Sequence, residues 1–571
     1  MSKGLNMLGA GRLLAALAAM PLAAIACTPA QYASWADKDA YLAIKQGQKA
    51  ALTETHSFDI TYSPITSTQP AARTITFGDK TIYLGEGPTT ILTLDDSLTI
   101  ALHNSRSFQT QKESLYTAAL AVMNGRRGWD WPLLDGNVTG NASAVAINDD
   151  GTTYAGAASV GPTLTQKLRH GGMIALAASL GLATDFTTWR NATVGSVLSA
   201  NYTQPLLRGA WADSAYEPQY RLERNLIISI YGYERFTQTF ATGIVTDYYS
   251  VLQQRDRVEN DVINIRRLKE TAALTKVLVE GGQSARIEQD QADQNLLDAQ
   301  VLYQQDLETY HNKLDQFKIT LGLPIAASVE LDYPAALQEL NKAGPQPMKV
   351  DETAAVDIAL QTRPDVLTQA AQLRDAQRNV ELAADNFLPE LNAQLSISAV
   401  SEPPHNFTNV QFDRHTRSAG LTLNYPLDQT DNRDNYRNAV IASAKARRDL
   451  DEFLDTVRLQ VRESYRSLMQ ARTSYDLQAR SVEIANRRTK LAALQQKEGQ
   501  ATARDVLEAE TALLAAKNGL TSALVQYTTT RLSFLATLGM LWIDEKGLIH
   551  ERDNPFKFDA IQRRYPYVAQ K

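Results

Sequence analysis

Several short sequence motifs occur twice along the chain, in the same order each time. This duplication limits the possible folds of the chain more than any other feature. Ile100-Ala101-Leu102 reappears as Ile358-Ala359-Leu360. Other matches join Trp131-Pro132 with Leu388-Pro389, Gln204-Pro205-Leu206 with Tyr425-Pro426-Leu427, Glu280-Gly281 with Glu498-Gly499, and Leu321-Gly322 with Leu538-Gly539. Because the matches keep one order, they predict two copies of one structural unit.

Each half of the chain reads as a helix, strands, a long helix, a turn and a second helix. We place the first repeat over residues 92–322, with strands within about 136–205, and the second over 353–541, with strands within about 390–426. The other segments are a signal peptide over 1–26, an extension of unassigned role over 27–91, a proline-rich linker over 323–352 and a C-terminal tail over 542–571.

The first residues have the layout of a secretory signal. Lys3 and Arg12 precede an apolar run that ends in Ala24-Ile25-Ala26, a small-x-small cleavage site. The same residues followed by Cys27, the single cysteine, resemble a bacterial lipobox, in which the cysteine becomes a lipid anchor. Both cleavages remain open, and both predict a protein that leaves the cytoplasm.

Composition and motifs exclude several functional classes. The 57 basic and 63 acidic residues give a net charge of −6, and no block of Lys and Arg is present to follow a phosphate backbone, so we expect no nucleic-acid partner. The sequence lacks a His-Glu-x-x-His zinc motif, a Gly-x-Ser-x-Gly elbow and a nucleotide-binding Gly-x-x-x-x-Gly-Lys loop. We therefore expect no enzyme activity, cofactor or metal.

Four segments alternate apolar residues with uncharged polar ones, namely 137–146, 198–203, 391–399 and 418–425. Such alternation is typical of a transmembrane β-strand or of a soluble sandwich, and the long helices on both sides favour the membrane. Because a four-stranded sheet has two open edges, several chains must pool their strands into a closed barrel in lipid. An extra hairpin over roughly 156–183, turning at Gly171-Gly172, either lengthens an external loop or adds strands.

The predicted helices are too long for one compact domain. Those at about 216–279 and 434–497 would each extend roughly 95 Å at about 1.5 Å per residue. Shorter helices are predicted at about 94–126, 286–321, 354–386 and 502–538. Two short helices stacked end to end beside each long one would form a coiled-coil rod, with turns at Gly281-Gly282 and Gly499-Gln500 at its tip.

This arrangement resembles TolC-type outer-membrane efflux proteins, the outer membrane factors, over roughly residues 92–541. The motifs that carry the resemblance are the two Ile-Ala-Leu helix openings, Pro389 before a strand, the joints at Thr203–Gly209 and Tyr425-Pro426-Leu427, and Asp505-Val506-Leu507-Glu508-Ala509 after the second tip. The resemblance implies a mainly α fold with a transmembrane β-barrel portion. Two repeats of long antiparallel coiled-coil helices plus strands would form a trimeric channel-tunnel, with twelve strands from three chains.

The resemblance also implies a function, a location and partners. The protein would be a passive trimeric exit duct of a tripartite efflux or type I secretion system, passing small molecules or proteins. It would lie in outer-membrane lipid with its helices in the periplasm, and would bind a periplasmic adaptor (membrane fusion) protein and an inner-membrane pump. The alternative is a lipid-anchored periplasmic coiled-coil scaffold or adaptor.

Within the resemblance, carboxylates just after the second tip narrow the tunnel as a periplasmic gate. Here they are Asp505 and Glu508, with Glu288 and Asp290 in the comparable place of the first half; the alternative is a solvated helix face. Members of the family often have a basic residue four positions before the aspartate, whereas this chain has Ala501 there. A gate held by an ion pair and a gate without one therefore both remain alternatives. The adaptor-docking tips would comprise Gly281, Gly282, Ser284, Arg286, Gly499, Thr502 and Arg504.

Overall fold

The computed structural model describes residues 28–551 apart from 53–56, 62–73, 78–79, 85–86, 148–150, 186–192, 349, 402–409, 499 and 545–547. Cys27 and Gly499 therefore lie outside the described residues. The chain divides into two compact units. The first contains residues up to 58, 114–230 and 371–448, and the second contains 59–113, 231–370 and the residues from 449 onward. No helix among the described residues has the length and hydropathy of a membrane span.

Ten helices contain most of the described residues. They are α1 (Pro29–Ala51), α2 (Leu94–Asn104), α3 (Arg106–Asp130), α4 (Ala212–Glu280), α5 (Arg286–Thr320), α6 (Tyr333–Ala343), α7 (Glu352–Thr362), α8 (Pro364–Asp385), α9 (Thr430–Lys497) and α10 (Ala503–Leu538). The long helices α4 and α9 have 69 and 68 residues, so each exceeds its predicted length by a few residues.

Twelve strands form three sheets in the described part of the chain. The strands are β1 (Thr74–Phe77), β2 (Lys80–Leu84), β3 (Thr90–Leu92), β4 (Leu133–Ile147), β5 (Gly151–Lys167), β6 (Met173–Asp185), β7 (Thr193–Pro205), β8 (Ala327–Leu331), β9 (Glu390–Val400), β10 (Thr416–Asn424), β11 (Leu541–Ile543) and β12 (Ile549–Glu551). The largest sheet lies in the first unit with the order β10-β9-β7-β6-β5-β4.

The helices predicted at 94–126 and 354–386 are each divided into two shorter helices. The prediction of one continuous helix in these places was therefore wrong in both repeats. The interruptions fall at Ser105 and Arg363, which are equivalent positions and share an extended backbone (ψ 129° and 123°). Arg363 precedes Pro364, whose ring disfavours a helical conformation in the residue before it. The buried Arg363 side chain donates to Asp365 at 2.6 Å and to Gln460 at 3.0 Å.

Each interruption is joined to the end of a long hairpin in the second unit. In the first repeat the Asn104 side chain donates to the carbonyl oxygen of Gly322 at 2.6 Å. In the second repeat the Thr362 hydroxyl donates to the Leu538 carbonyl, next to Gly539. Gly322 and Gly539 have φ values of 77° and 71°, so both helices end in a left-handed glycine. The joint is therefore duplicated with the repeat.

The extension before the first repeat and the linker between the repeats form one layer. Strands β1, β2 and β3 from the extension pair with β8 from the linker in a four-stranded sheet of order β1-β2-β8-β3. Ile82 and Leu92 from this sheet pack in a buried cluster with Tyr248 of α4 and Phe317 of α5. The sheet thus covers one side of the helices of the second unit.

Candidate functional site

The large sheet has one continuous apolar face. Register pairs Leu198 with Ala399 and Ala200 with Ile397, and the pairing continues in the same phase across all six strands. The described apolar members of this face are Leu134, Val138, Val160, Leu164, Leu176, Leu180, Leu198, Ala200, Leu395, Ile397, Leu421 and Leu423. Many of these side chains are exposed, so the described residues leave much of the face uncovered.

The opposite face carries mainly small polar side chains, with the carboxylates of Asp135 and Glu390 near the helix-proximal strand ends. Thr139 and Ser159 hydrogen bond across β4 and β5 at 2.6 Å, and Ser396 and Ser418 do so across β9 and β10. Ser199, Asn201 and Thr203 occupy the same face of β7. A sheet with one apolar and one polar face, both exposed, has the pattern of a strand layer between lipid and water.

The helix-proximal end of the sheet carries exposed aromatic side chains to which the sequence analysis assigned no role at a lipid boundary. Trp131 lies between α3 and β4, Trp211 lies just before α4, and Tyr425 follows β10; all three are exposed. Tryptophan and tyrosine are typical of the boundary between hydrocarbon and water. Each of these aromatic residues lies close in sequence to the end of a strand, and this position could have indicated the lipid boundary from the sequence.

The first predicted tip is the turn between α4 and α5. Helix α4 ends at Glu280, Gly282 in the turn after it has a φ of 68°, and the Gln283 amide donates to the Leu278 carbonyl at 2.8 Å. The Ser284 hydroxyl donates to Glu288 at 2.6 Å, which tethers that carboxylate to the turn. Gly281, Gly282, Arg286 and Asp290 are exposed, whereas Ser284 and Glu288 are half-buried.

At the second predicted tip, the Asp505 side chain takes part in capping the N-terminus of α10. Its carboxylate accepts from the Thr502 amide at 2.9 Å and from the Thr502 hydroxyl at 2.7 Å. These two bonds, with help from the nearby charges of Arg504 and Arg488, lower the pKa of Asp505 below its ordinary value. The arrangement is a capping box, which satisfies amides that a helix start leaves open.

Glu508 has a basic partner that the sequence analysis missed. The guanidinium of Arg488 on α9 donates to Glu508 at 2.7 Å, with both side chains more than half exposed. Arg488 lies twenty residues away, so only the pairing of α9 with α10 brings it to the tip. Asp505 and Glu508 share one exposed face of α10, as predicted.

The two hairpins pack side by side behind the tips. Leu507 of α10 is buried in a cluster with Leu268, Ala272, Ala292 and Ala299 of the α4–α5 hairpin. Arg267 of α4 also pairs with Glu510 of α10 at 3.1 Å. Val506 and Leu507, between the two gate candidates, therefore face inward, while Asp505 and Glu508 face outward.

A seam of exposed apolar residues follows α9. Leu477, Ile484 and Leu491 recur every seven residues and are 60%, 59% and 56% exposed, with Leu494 next to them. A seven-residue apolar spacing is the coiled-coil pattern, and it requires a facing helix. Within the described part of the chain, no group of three or more His, Cys, Asp or Glu residues has metal-binding geometry.

Comparisons with known proteins agree with this architecture. Residues 355–540 match the family model described as outer membrane efflux protein. The chain is also 27% identical over 336 residues to the alkaline protease secretion protein AprF of Pseudomonas aeruginosa. That alignment covers 56% of this chain and 66% of AprF, slightly less than two thirds of the relative.

Solved outer-membrane channels share the fold. The Campylobacter jejuni CmeC outer membrane channel superposes with a TM-score of 0.58 at 16% identity, covering 83% of this chain and 89% of that one. The Vibrio cholerae outer membrane protein VceC gives 0.58 at 13% identity, covering 78% and 96%. The second repeat is therefore similar to the outer membrane efflux protein family over residues 355–540, and the chain shares the fold of solved outer-membrane channels.

Proposed function

We propose that the protein is the outer-membrane exit duct of a tripartite efflux or type I secretion system. Three copies would form a passive channel from an inner-membrane pump, through a periplasmic adaptor, to the cell exterior. The observation that carries this proposal is the six-stranded sheet with one mainly apolar face and one mainly polar face. Its pattern suits lipid on one side and a water-filled passage on the other.

Two surfaces of the single chain support self-assembly. The sheet has open edges at β4 and β10, and an open edge in lipid leaves amide and carbonyl groups without partners. The seam of Leu477, Ile484 and Leu491 supplies an unpaired coiled-coil face on α9. The open strand edges and the exposed apolar face of α9 would both be covered when copies join edge to edge and helix to helix around an axis.

The periplasmic gate belongs to the same proposal. In a trimer, Asp505 and Glu508 would place six carboxylates around the axis, where their mutual repulsion and their attraction for cations bias opening and selectivity. Glu288 and Asp290 would add carboxylates from the first hairpin. Arg488, which pairs with Glu508 at 2.7 Å, places a basic group beside these carboxylates, although Ala501 stands where the resemblance has a basic residue four positions before the aspartate.

The hairpin tips are the proposed docking surface for the adaptor. Gly281, Gly282, Arg286, Thr502 and Arg504 are exposed around the two turns, and both turns are tied by local hydrogen bonds. A rigid, exposed turn costs little ordering entropy when a partner binds.

Single-channel recording tests the proposal directly. The detergent-extracted protein, with its oligomeric mass measured in the same preparation, is reconstituted into planar bilayers. We expect a trimer that conducts in discrete, cation-selective steps. A monomer without conductance would instead support the lipid-anchored scaffold.

A further inference from the structure

The first repeat contains a strand pair that the described residues of the second repeat lack. Strands β5 and β6 form a hairpin inserted between β4 and β7, which are the first and last strands of that repeat. The insertion is complete: β4 pairs with β5 over its full length, and β6 pairs with β7 over eleven residues. The hairpin therefore adds two strands to the sheet, and the external-loop alternative was wrong.

The turn of this hairpin is anchored where the helices begin and end. Gly171 has a φ of 78°, and a Cβ at this position would lie 2.5 Å from the Gly209 carbonyl oxygen. The Gln204 side chain donates to the His170 carbonyl at 2.8 Å, and the Gln166 side chain donates to the Trp129 carbonyl at 2.7 Å. Only a glycine permits this close approach, so the hairpin is built into the base of the sheet.

The hairpin also continues both faces of the sheet. Val160, Leu164, Leu176 and Leu180 extend the apolar face, while Ser159, Thr163 and Ser179 extend the polar face. A strand pair that leaves the sheet would expose this apolar row to water. Its pattern therefore matches a place between lipid and the passage.

We infer that the exit formed by this chain has six strands per copy, so that the trimer of the proposed function, on which this inference rests, closes eighteen strands rather than twelve. Strand direction allows this closure. All five neighbouring pairs in the sheet are antiparallel, so β10 of one copy runs opposite to β4 of the next. The occupant of each open edge is a second copy of this chain.

The extra strands widen the exit. With about 4.8 Å between strands and about 40° of tilt, twelve strands give a backbone diameter of roughly 24 Å and eighteen give roughly 36 Å. The insertion adds no helix to the chain. The lining contributed by the hairpin, including Ser159, Thr163 and Ser179, is small and uncharged. The wider strand end therefore lets bulky polymers leave through it.

Polymer exclusion measures the width of this end. Polyethylene glycols of graded radius are added to one side of the bilayer at a time, and the largest polymer that still lowers the conductance is recorded. The comparison is a variant lacking residues 151–185, which joins β4 to β7 and keeps their antiparallel direction. We expect the cut-off radius on the strand side to be about 1.5-fold smaller in the deletion variant, since barrel diameter grows roughly linearly with strand number.

The outcomes separate this inference from the proposed function. Trimeric channels with equal cut-off radii in the two proteins would overturn the wide exit and leave the duct intact. Absence of trimeric channels from the unaltered chain would overturn both.

Cysteine pairs decide the same question if the deletion variant does not fold. Ala177 and Ser199 lie directly opposite each other on β6 and β7, so Ala177→Cys with Ser199→Cys places two thiols within disulfide reach. Asp135→Cys with Ser199→Cys is the control, because Asp135 is the residue of β4 level with Ser199 across the sheet, and β4 meets β7 only when the hairpin leaves the sheet. Both are made with Cys27→Ser and oxidised in the extracted trimer. We expect only the first pair to form a disulfide, and formation of only the second would overturn the inference.

Discussion

Gly322 and Gly539 occupy the same place in the two repeats but have different amounts of room. A Cβ on Gly322 would lie 2.2 Å from the Asn104 carbonyl oxygen, whereas a Cβ on Gly539 would lie 3.2 Å from the Thr362 hydroxyl. Both residues have a left-handed backbone that costs other residues about 1–2 kcal/mol. The first joint therefore carries a steric requirement that the second lacks.

Gly322→Ala should consequently destabilise the protein more than Gly539→Ala. The second substitution carries mainly the backbone cost of about 1–2 kcal/mol, while the first also forces α2 and α5 apart. Thermal loss of helical circular dichroism in the purified variants measures the difference. Equal midpoints would contradict the close approach at Asn104.

A buried carboxylate in the first hairpin makes stability depend on pH. Asp261 on α4 is 1% exposed and faces Asp306 on α5, with Arg257 and Lys313 close by. Burial, followed by the bond and the charge of Asp306, raises the pKa of Asp261 from 3.8 to about 7. The folded state therefore binds this proton more tightly than the unfolded state.

The contribution of that proton to stability is fully present below about pH 4 and is lost as the pH rises through about 7. Asp261→Asn should flatten the fall in thermal midpoint between these values and should be more stable than the unaltered chain at pH 8. Asp298→Asn, which changes an exposed carboxylate on the same helix as Asp306, is the control. An unchanged pH profile in Asp261→Asn would show that the pair is not titrating.

Among the elements, local patterns predicted helices and strands well, but not their interruptions or their partners. Pro364 marks one helix break in the sequence, whereas the equivalent Ser105 carries no such signal. Gly171-Gly172 predicted the extra hairpin, but which strands it pairs with depends on contacts between distant segments. At the site, the Thr502-to-Asp505 spacing already matched a capping box, while the Arg488 partner required the α9–α10 packing.

The seam on α9 leads to a prediction about assembly. Ile484→Glu places a charge in the middle of the exposed apolar row, where a facing helix would have to bury it. We expect trimers to dissociate at lower temperature or lower detergent concentration, as measured by native mass or light scattering. Lys490→Glu, an exposed position of α9 outside the seam, should leave the trimer unchanged; equal effects would point to charge alone.

Helix α1 leads to a prediction about the anchor. Asp37 accepts from the Tyr116 hydroxyl at 2.6 Å, and Gln46 accepts from Arg126 at 2.9 Å, so α1 runs in the same direction as α3, toward the sheet. Thr28 therefore lies at the end of α1 far from the sheet, about 27 Å before Gln46 along the helix.

A lipid attached next to Thr28 would therefore be joined to the end of α1 that lies far from the sheet. We therefore expect Cys27→Ser to remain in the outer-membrane fraction and to need detergent for extraction. Recovery of this variant in the soluble periplasmic fraction would show that Cys27 supplies the anchor.

At the scale of the whole molecule, the charge at the gate can be separated from the helix cap. Asp505→Asn keeps an oxygen that accepts from Thr502 and removes the charge, whereas Asp505→Ala removes both. We expect Asp505→Asn with Glu508→Gln to lower the cation selectivity of single channels while the start of α10 stays protected from amide hydrogen exchange. Asp505→Ala should lose that protection as well. Unchanged selectivity in the first variant would remove both carboxylates from the gate.

The strand insertion occurs in only one of the two repeats, and this has a consequence for symmetry. In the proposed trimer, duplication would give six helical hairpins of similar design, so the helical portion would approach sixfold rotational order, while three copies of β5–β6 would restrict the strand portion to threefold order. The six tips of that trimer would also alternate in kind, since α10 begins after Thr502, whose side chain caps the helix, and α5 begins after Ala285, which has no side-chain cap. A partner that presents six identical binding elements to these tips would therefore occupy two inequivalent environments, three of each.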